Sequence, residues 1–412
     1  MSNTIKISLL ASIVLTNPLL ANASTELEEA IKNTKFTAEI KSQYAYSNLL
    51  GYDSADKMAG VGGNIGFLTG DFYGLKLGAT LQAMGKIYSD RKNDLFKDSL
   101  DANGLALSEA YVDYTLQNTN LKLGRQFIYT PLVSSAINGK SSEVILKDAF
   151  EAYTITNSDL PDTTITAGFI NRYQNSTDYN GHIGKFKKYD LTQDGAYTVY
   201  LKNTSIENLK LQAQYLRVDG YDDNKDAVFF QADYNLMGHI LSAQYTFAKN
   251  RMMPSELEDS AVWGISATGP LGISNLGYAT AFTSSYKDGD SYAGLGKGTN
   301  DTLFTAMPLG GDQVARRGNS DTVVGAIVVP VEQFTFIPYL GKSFANPNDK
   351  NQSSLIGDVL AYGLGAMYKY DEHLNLKANW EYAKTEESII MPNGNQSDKD
   401  NNTVKIYASY LF

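Results

Sequence analysis

The chain has 412 residues, no Cys, and 35 Lys+Arg against 45 Asp+Glu. Without Cys, a disulfide scaffold and thiolate metal sites are excluded, and the acidic balance argues against a nucleic-acid partner. Tyr (28) and Gly (35) are plentiful and Pro is scarce (10), which suits strands and turns better than helices.

The N-terminus opens with Lys6, the apolar run from Ile7 to Leu15, Asn17-Pro18 and the small-residue site Ala21-Asn22-Ala23. This pattern predicts a secretory signal peptide over residues 1–23, cleaved after Ala23. The run is apolar all round, unlike an amphipathic helix, and shorter than the ~20 residues that span a bilayer. No Cys follows the site, which excludes a lipoprotein anchor. Removing Lys6 takes the net charge from −10 to −11. Residues 24–34, with Leu27-Glu28-Glu29-Ala30-Ile31, read as a short N-terminal segment, helical or linker.

From residue 35 to 412 the chain alternates with period 2, the mark of strands with one apolar and one polar face. Phe36, Ala38, Ile40, Tyr44 and Tyr46 share a face opposite Glu39, Lys41 and Gln43. Ala110, Val112 and Tyr114 oppose Glu109, Tyr111 and Asp113. Val228, Phe230 and Ala232 oppose Gln231 and Asp233, and Leu376, Ala378 and Trp380 oppose Lys377, Asn379 and Glu381. The terminal stretch repeats the pattern, with Val404, Ile406, Ala408, Tyr410 and Phe412 against Lys405, Tyr407 and Ser409. Read in full, the alternation predicts 18 strands, starting near residues 35, 59, 74, 107, 121, 143, 163, 194, 208, 226, 239, 260, 275, 320, 334, 358, 374 and 403. No later segment reads as a transmembrane helix, because polar residues break each apolar stretch.

Two features favour a closed antiparallel transmembrane β-barrel over a secreted sandwich. The polar faces carry mid-strand charges such as Glu109, Asp113, Asp233, Lys377 and Glu381, which a dry core would accept only at several kcal/mol each. Connections also alternate between short ones, such as Met237-Gly238, and long ones, such as Lys287 to Asn319. Outer-membrane barrels have short periplasmic turns, long outer loops and an even strand count. No repeat of fixed period is visible, which disfavours a solenoid. Outward Tyr, Trp and Phe gather at strand ends (Tyr44, Tyr114, Tyr215, Tyr234, Trp380, Phe412), as interfacial girdles do.

Four short stretches carry a family resemblance: Leu27-Glu28-Glu29-Ala30-Ile31, Leu121-Lys122-Leu123-Gly124-Arg125-Gln126, Arg316-Arg317-Gly318-Asn319 and Tyr410-Leu411-Phe412. On these the chain resembles the major outer-membrane porin of the campylobacter group, which shares the OprD-like barrel. The resemblance implies an 18-stranded porin in the outer membrane of a Gram-negative bacterium, a homotrimer that passes small hydrophilic solutes and ions. Tyr410 and Phe412 are then expected to serve as the signal read by the outer-membrane assembly machinery.

A barrel of this size leaves an aqueous channel, and transport needs a constriction and a field rather than a catalytic residue. The loop about 131–142 after the fifth strand is expected to fold inward. Lys140 on that loop, with Glu109, Asp113, Arg125, Lys147, Glu151 and Arg172, are the candidate constriction residues. Arg125 shares parity with Leu121 and Leu123, and at midplane a lipid-facing Arg costs about 2–4 kcal/mol, so a bulge at Gly124 is expected to turn it inward. The acidic charge favours cations. Asp219, Asp222, Asp223 and Asp226 form an acidic cluster that reads first as a solvated loop; a Ca²⁺ site of oxygen ligands, without EF-hand spacing, is the alternative. No other cofactor is expected.

Two further function classes compete with a porin, an adhesin or structural barrel and a barrel hydrolase. A hydrolase needs a His near the outer rim, and of His182, His239 and His373 only His182 sits in an outer loop, without nucleophile context. Gly294-Leu295-Gly296-Lys297-Gly298 lacks the strand–turn–helix frame of a phosphate loop. The chain is therefore expected not to be an enzyme.

Overall fold

The computed structural model describes residues 20–48, 55–92, 95–96, 99–136, 144–188, 195–219, 224–250, 259–287, 294–299, 301–308, 318–345, 357–385 and 399–412. It is a closed antiparallel barrel of 18 strands. The strands are β1 (Lys35–Asn48), β2 (Asp56–Leu68), β3 (Leu75–Asp90), β4 (Ala102–Leu116), β5 (Thr119–Gln126) and β6 (Ala149–Asn157). Then follow β7 (Thr163–Gln174), β8 (Gly195–Ile206), β9 (Leu209–Asp219), β10 (Asn224–Leu236), β11 (His239–Asn250) and β12 (Ser260–Pro270). The last six are β13 (Gly277–Ser285), β14 (Ser320–Val331), β15 (Phe334–Ala345), β16 (Val359–Lys369), β17 (Leu374–Thr385) and β18 (Lys399–Leu411). Each strand pairs with its sequence neighbours, and β1 pairs with β18 from Glu39↔Leu411 to Asn48↔Asn402, which closes the ring. Closure leaves no open edge, the condition a sheet must meet in lipid.

The faces sort by the alternation read from the sequence. Phe36, Ile40, Leu77, Val112, Tyr215, Phe230, Trp380 and Tyr410 are exposed on the outer surface. Gln43, Gln82, Gln214, Gln244, Asn379 and Glu381 are buried on the inner one. Glu381 accepts from the Tyr339 hydroxyl (2.8 Å), so its carboxylate is enclosed within the barrel. Asp233 is reached by Gln231 (2.7 Å) and by Lys210 (3.4 Å).

Connections at one end run two to six residues, from 117–118 to 69–74. Seven of these eight short turns place a non-glycine residue at positive φ: Tyr73, Gln117, Asp162, Asn208, Met237, Ser274 and Glu332. In Tyr73-Gly74 and Met237-Gly238 both residues have positive φ, as in the mirror-image turns whose twist matches that of the flanking strands. At the same end a helix, α1 (Leu20–Lys32), packs Ala30 against the β2–β3 turn, where Gly70 N donates to Ala30 O (2.9 Å). The opposite end carries the long connections.

Two strand starts differ from the sequence reading by five or six residues. β4 begins at Ala102, because the backbone stays paired to β3 past a bulge at Thr80/Leu81. β6 begins at Ala149, because Ile145 and Leu146 bury inside the barrel against Met58, Met84 and Leu100 instead of joining the wall. Since β5 stops at Gln126 while β4 reaches Ala102, the upper edge of β4 takes a different partner, Gly181–His182, in a short parallel pairing.

Candidate functional site

Three segments from the long-loop end enter the barrel and line its inner wall. The first comprises 95–96 and 99–101, where Phe96 and Leu100 bury against Ala45, Met58 and Met84. The Asp56 carboxylate holds its approach by accepting from Lys92 N (2.8 Å) and Leu95 N (2.9 Å). Asp101 closes it through ion pairs with Lys86 (2.6 Å) and Arg91.

The second is 127–136, a tight hairpin in which Tyr129–Thr130 pairs with Val133–Ser134. Leu132 and Val133 pack on Phe150, Ile170, Leu216 and Phe229 of the wall. Gln214 fixes the tip: its Oε1 accepts from Leu132 N (2.7 Å) and its Nε2 donates to the Thr130 hydroxyl (2.9 Å). The expected inward loop 131–142 overlaps this hairpin; residues 137–143, Lys140 among them, lie outside the described residues.

The third, 294–299 with 301–308, is not among the sequence expectations. Leu295 docks beside the hairpin, with Leu295 N donating to Leu132 O (2.9 Å) and Ser134 N donating to Leu295 O (2.9 Å). Gly294 and Gly296 have φ of +103° and +88°, and a Cβ there would stand 2.4 Å from Leu132 O and 2.2 Å from Ser134 O. The glycine-rich stretch is thus the strip on which a second loop lies flat against the first. Beyond it, Thr302 O accepts from Gln244 (2.8 Å), Thr305 bonds Thr283 (2.7 Å), and Met307 packs on Tyr339.

Asp148 ties these segments together. It is fully buried, and it accepts from Ser176 N (2.8 Å), the Tyr173 hydroxyl (2.6 Å) and Lys297 N (2.8 Å). One carboxylate therefore joins the β5–β6, β7–β8 and β13–β14 connections.

The inner wall beside the first two segments carries both signs of charge. Glu109 accepts from Thr80 (2.7 Å) and from Phe127 N (3.0 Å), and Lys122 stands 3.7 Å away. Lys122 also lies over the Tyr111 ring at 3.7 Å. Asp113 accepts from Asn120 (2.8 Å). Lys147 is held by its backbone to Gln82, and its ammonium faces the Phe127 and Tyr129 rings at 5.4 and 6.0 Å. Glu39 pairs with Lys41 (3.3 Å) and accepts from Asn64 (3.1 Å).

Of the sequence candidates, Glu109, Asp113 and Lys147 thus line the interior, together with Lys122, Lys41 and Glu39. Arg125, Glu151 and Arg172 do not. The expected bulge at Gly124 is absent: β5 pairs without register shift from Thr119 to Arg125 with β4 and from Thr119 to Gln126 with β6. Gln126 bonds Ala152 O and Lys122 O on the inner face, so Arg125 points outward. Its guanidinium lies over the Phe186 ring at 4.4 Å. It sits at the outer end of β5, not at the midplane, so the penalty that motivated the bulge does not apply.

Of the acidic cluster, Asp219 pairs with Arg217 (2.7 Å), and Asp226 accepts from the Tyr215 hydroxyl (2.5 Å); Asp222 and Asp223 lie outside the described residues. His182 stands 3.4 Å from Asp178, whose carboxylate also accepts from the Asn180 and His182 amides.

No family model and no curated protein matches the chain. Solved structures do. Pseudomonas aeruginosa OpdO superposes with a TM-score of 0.71 at 13% identity, covering 94% of this chain and 99% of that one. Pseudomonas aeruginosa OpdQ gives 0.69 at 12%, covering 93% and 99%. Acinetobacter baumannii OccAB1 gives 0.69 at 11%, covering 93% and 98%. At these identities the likeness is one of fold, and that fold is the OprD-like barrel.

Proposed function

We propose that the chain is an outer-membrane porin of the campylobacter major-porin type that passes small hydrophilic solutes and ions by diffusion, with a mild preference for cations. The observation that carries this reading is a closed ring of strands, apolar outside and hydrogen-bonding inside, narrowed by segments folded in from the long-loop end. The narrowing leaves a wall of fixed charges, which is what selectivity requires. Near it, Glu39, Glu109 and Asp113 face Lys41, Lys122 and Lys147, so the local charge is nearly balanced. The cation preference is therefore weak and rests on the overall acidity of the mature chain.

In this reading residues 1–23 direct export, the barrel trimerises, and the Tyr410–Phe412 end is the element recognised during assembly. Catalysis has no part in it.

Purified barrel in planar bilayers should give ohmic conductance steps, and a salt gradient should give a small reversal potential on the cation side. Glu109→Gln keeps an acceptor for Phe127 N and removes one negative charge, so it should move that potential toward anions. Absence of steps would overturn the pore, and an anion-side potential in the parent chain would overturn the selectivity.

A further inference from the structure

Arg125, Glu151 and Arg172 form one row across β5, β6 and β7 on the outer face, in register Arg125↔Glu151↔Arg172. Glu151 accepts from Asn171 (2.8 Å) and stands 3.9 Å from Arg172, whose side chain keeps 48% of its exposure. Directly toward the short-turn end, Tyr153, Phe169 and Tyr197 form a continuous aromatic band, with centroids 6.3 and 4.9 Å apart. Such a band marks the level where hydrocarbon gives way to headgroups. The arginine row is the next row outward.

On its far side the β7–β8 connection returns, with Lys187 paired to Tyr173. It lays Phe186 over Arg125 and presents Lys185, Lys187 and Lys188, all exposed. Among the described residues, Arg125 and Arg172 thus flank the Glu151 carboxylate, with three exposed lysines on the adjoining connection, on a chain whose net charge is −10.

The geometry points to a site for the phosphate groups of an anionic lipid headgroup, here a phosphorylated glycolipid of the outer leaflet. Guanidinium groups take phosphate oxygens in pairs, and Phe186 holds one of them ready by stacking. Headgroup depth is where basic side chains select anionic lipids. The aromatic band would bear on the upper acyl chains while the basic ledge took the phosphates. This rests on the outer-membrane reading above, but it concerns the outer surface and not the pore.

The test uses the full chain, with native mass spectrometry of the detergent-solubilised barrel against bisphosphorylated lipid A, the same lipid after dephosphorylation, and inorganic phosphate. The parent chain should retain the phosphorylated lipid at least tenfold better than the dephosphorylated one. The double variant Arg125→Gln/Arg172→Gln should lose most of that difference. Arg125→Lys/Arg172→Lys, which keeps charge without the paired geometry, should fall between. Heat-dependent gel migration checks that each variant is folded, and should the Gln pair fail to fold, Lys185→Gln/Lys187→Gln/Lys188→Gln replaces it.

Equal retention of the two lipids, or retention unchanged in the variants, would overturn the site. Competition by millimolar inorganic phosphate alone would reassign it to a soluble anion and overturn the lipid. Loss of oligomers in the variants with lipid retention intact would make the ledge a contact between copies, which also overturns it. Conductance of the same preparations separates the two readings: steps without lipid selectivity defeat only the site, and lipid selectivity without steps defeats only the pore.

Discussion

Asp148 receives three donors at a buried carboxylate, of which the Ser176 amide is buried and the Tyr173 hydroxyl and Lys297 amide are partly so. Each buried donor left unpaired costs about 1–3 kcal/mol. That sum falls on three connections, not on the barrel, whose strands pair independently of them. Asp148→Ala is therefore expected to free the 127–136 hairpin and the 294–299 strip while the wall stays folded. Limited proteolysis of folded protein should cut within 127–148 in the variant and not in the parent, and the conductance step should grow. Unchanged cleavage would mean that the apolar packing of Leu132, Val133 and Leu295 on the wall is sufficient by itself. Arg125 teaches a related lesson at the same scale. The penalty for a lipid-facing Arg is steep at the midplane and falls to about 0–1 kcal/mol near an interface, so depth decides the outcome and parity alone does not.

The strands were legible because their outer face must be apolar to suit lipid, and one apolar face under period 2 is the signal that alternation detects. Their inner face is less constrained. Leu216, Val218 and Phe229 stand where lumen parity calls for polar side chains, and they are apolar because the inward hairpin covers them. Apolar residues on both faces at the outer ends of neighbouring strands were the available sign of inward-folded loops. The same inference from Gly294 and Gly296 needed the partner backbone, since nothing in the local sequence says what approaches a glycine. The short turns were legible by length but not by conformation. Met237 precedes Gly238 with φ of 51° and 88°, a mirror-image hairpin turn, and its side chain is 92% exposed. A non-glycine residue in that region costs roughly 1–2 kcal/mol, which Asn largely avoids. Met237→Asn should therefore raise the stability of the folded barrel by up to about 1 kcal/mol, read as a higher urea midpoint for unfolding from lipid vesicles. No shift, or a fall, would show that the turn is not strained.

Eighteen strands are consistent with a ring only if the first and last meet, and the register places Ser42 opposite Ala408 at that seam. Directly opposed residues in an antiparallel pair lie about 4.5–5.5 Å apart between Cα atoms, within the usual disulfide range of about 4.4–6.8 Å. The chain has no Cys of its own, so a pair introduced there has no competing thiol. Both positions lie on the outer face with Ile406 and Tyr410, and oxidant added to folded protein can reach them. Ser42→Cys/Ala408→Cys should cross-link within one chain, and the boiled, non-reduced form should migrate faster than the reduced form because a loop spanning nearly the whole sequence is closed. Ser42→Cys paired with Ile406→Cys, shifted two pairs along the ladder, should cross-link less efficiently. A sandwich or open sheet would hold these strands on separate edges, and then neither pair would close. The same experiment tests the lumen: only a sealed ring obliges Glu381 and Asp233 to find their partners inside. Failure of the seam would leave those charges without an enclosed water column to face, and the transport reading would fall with it.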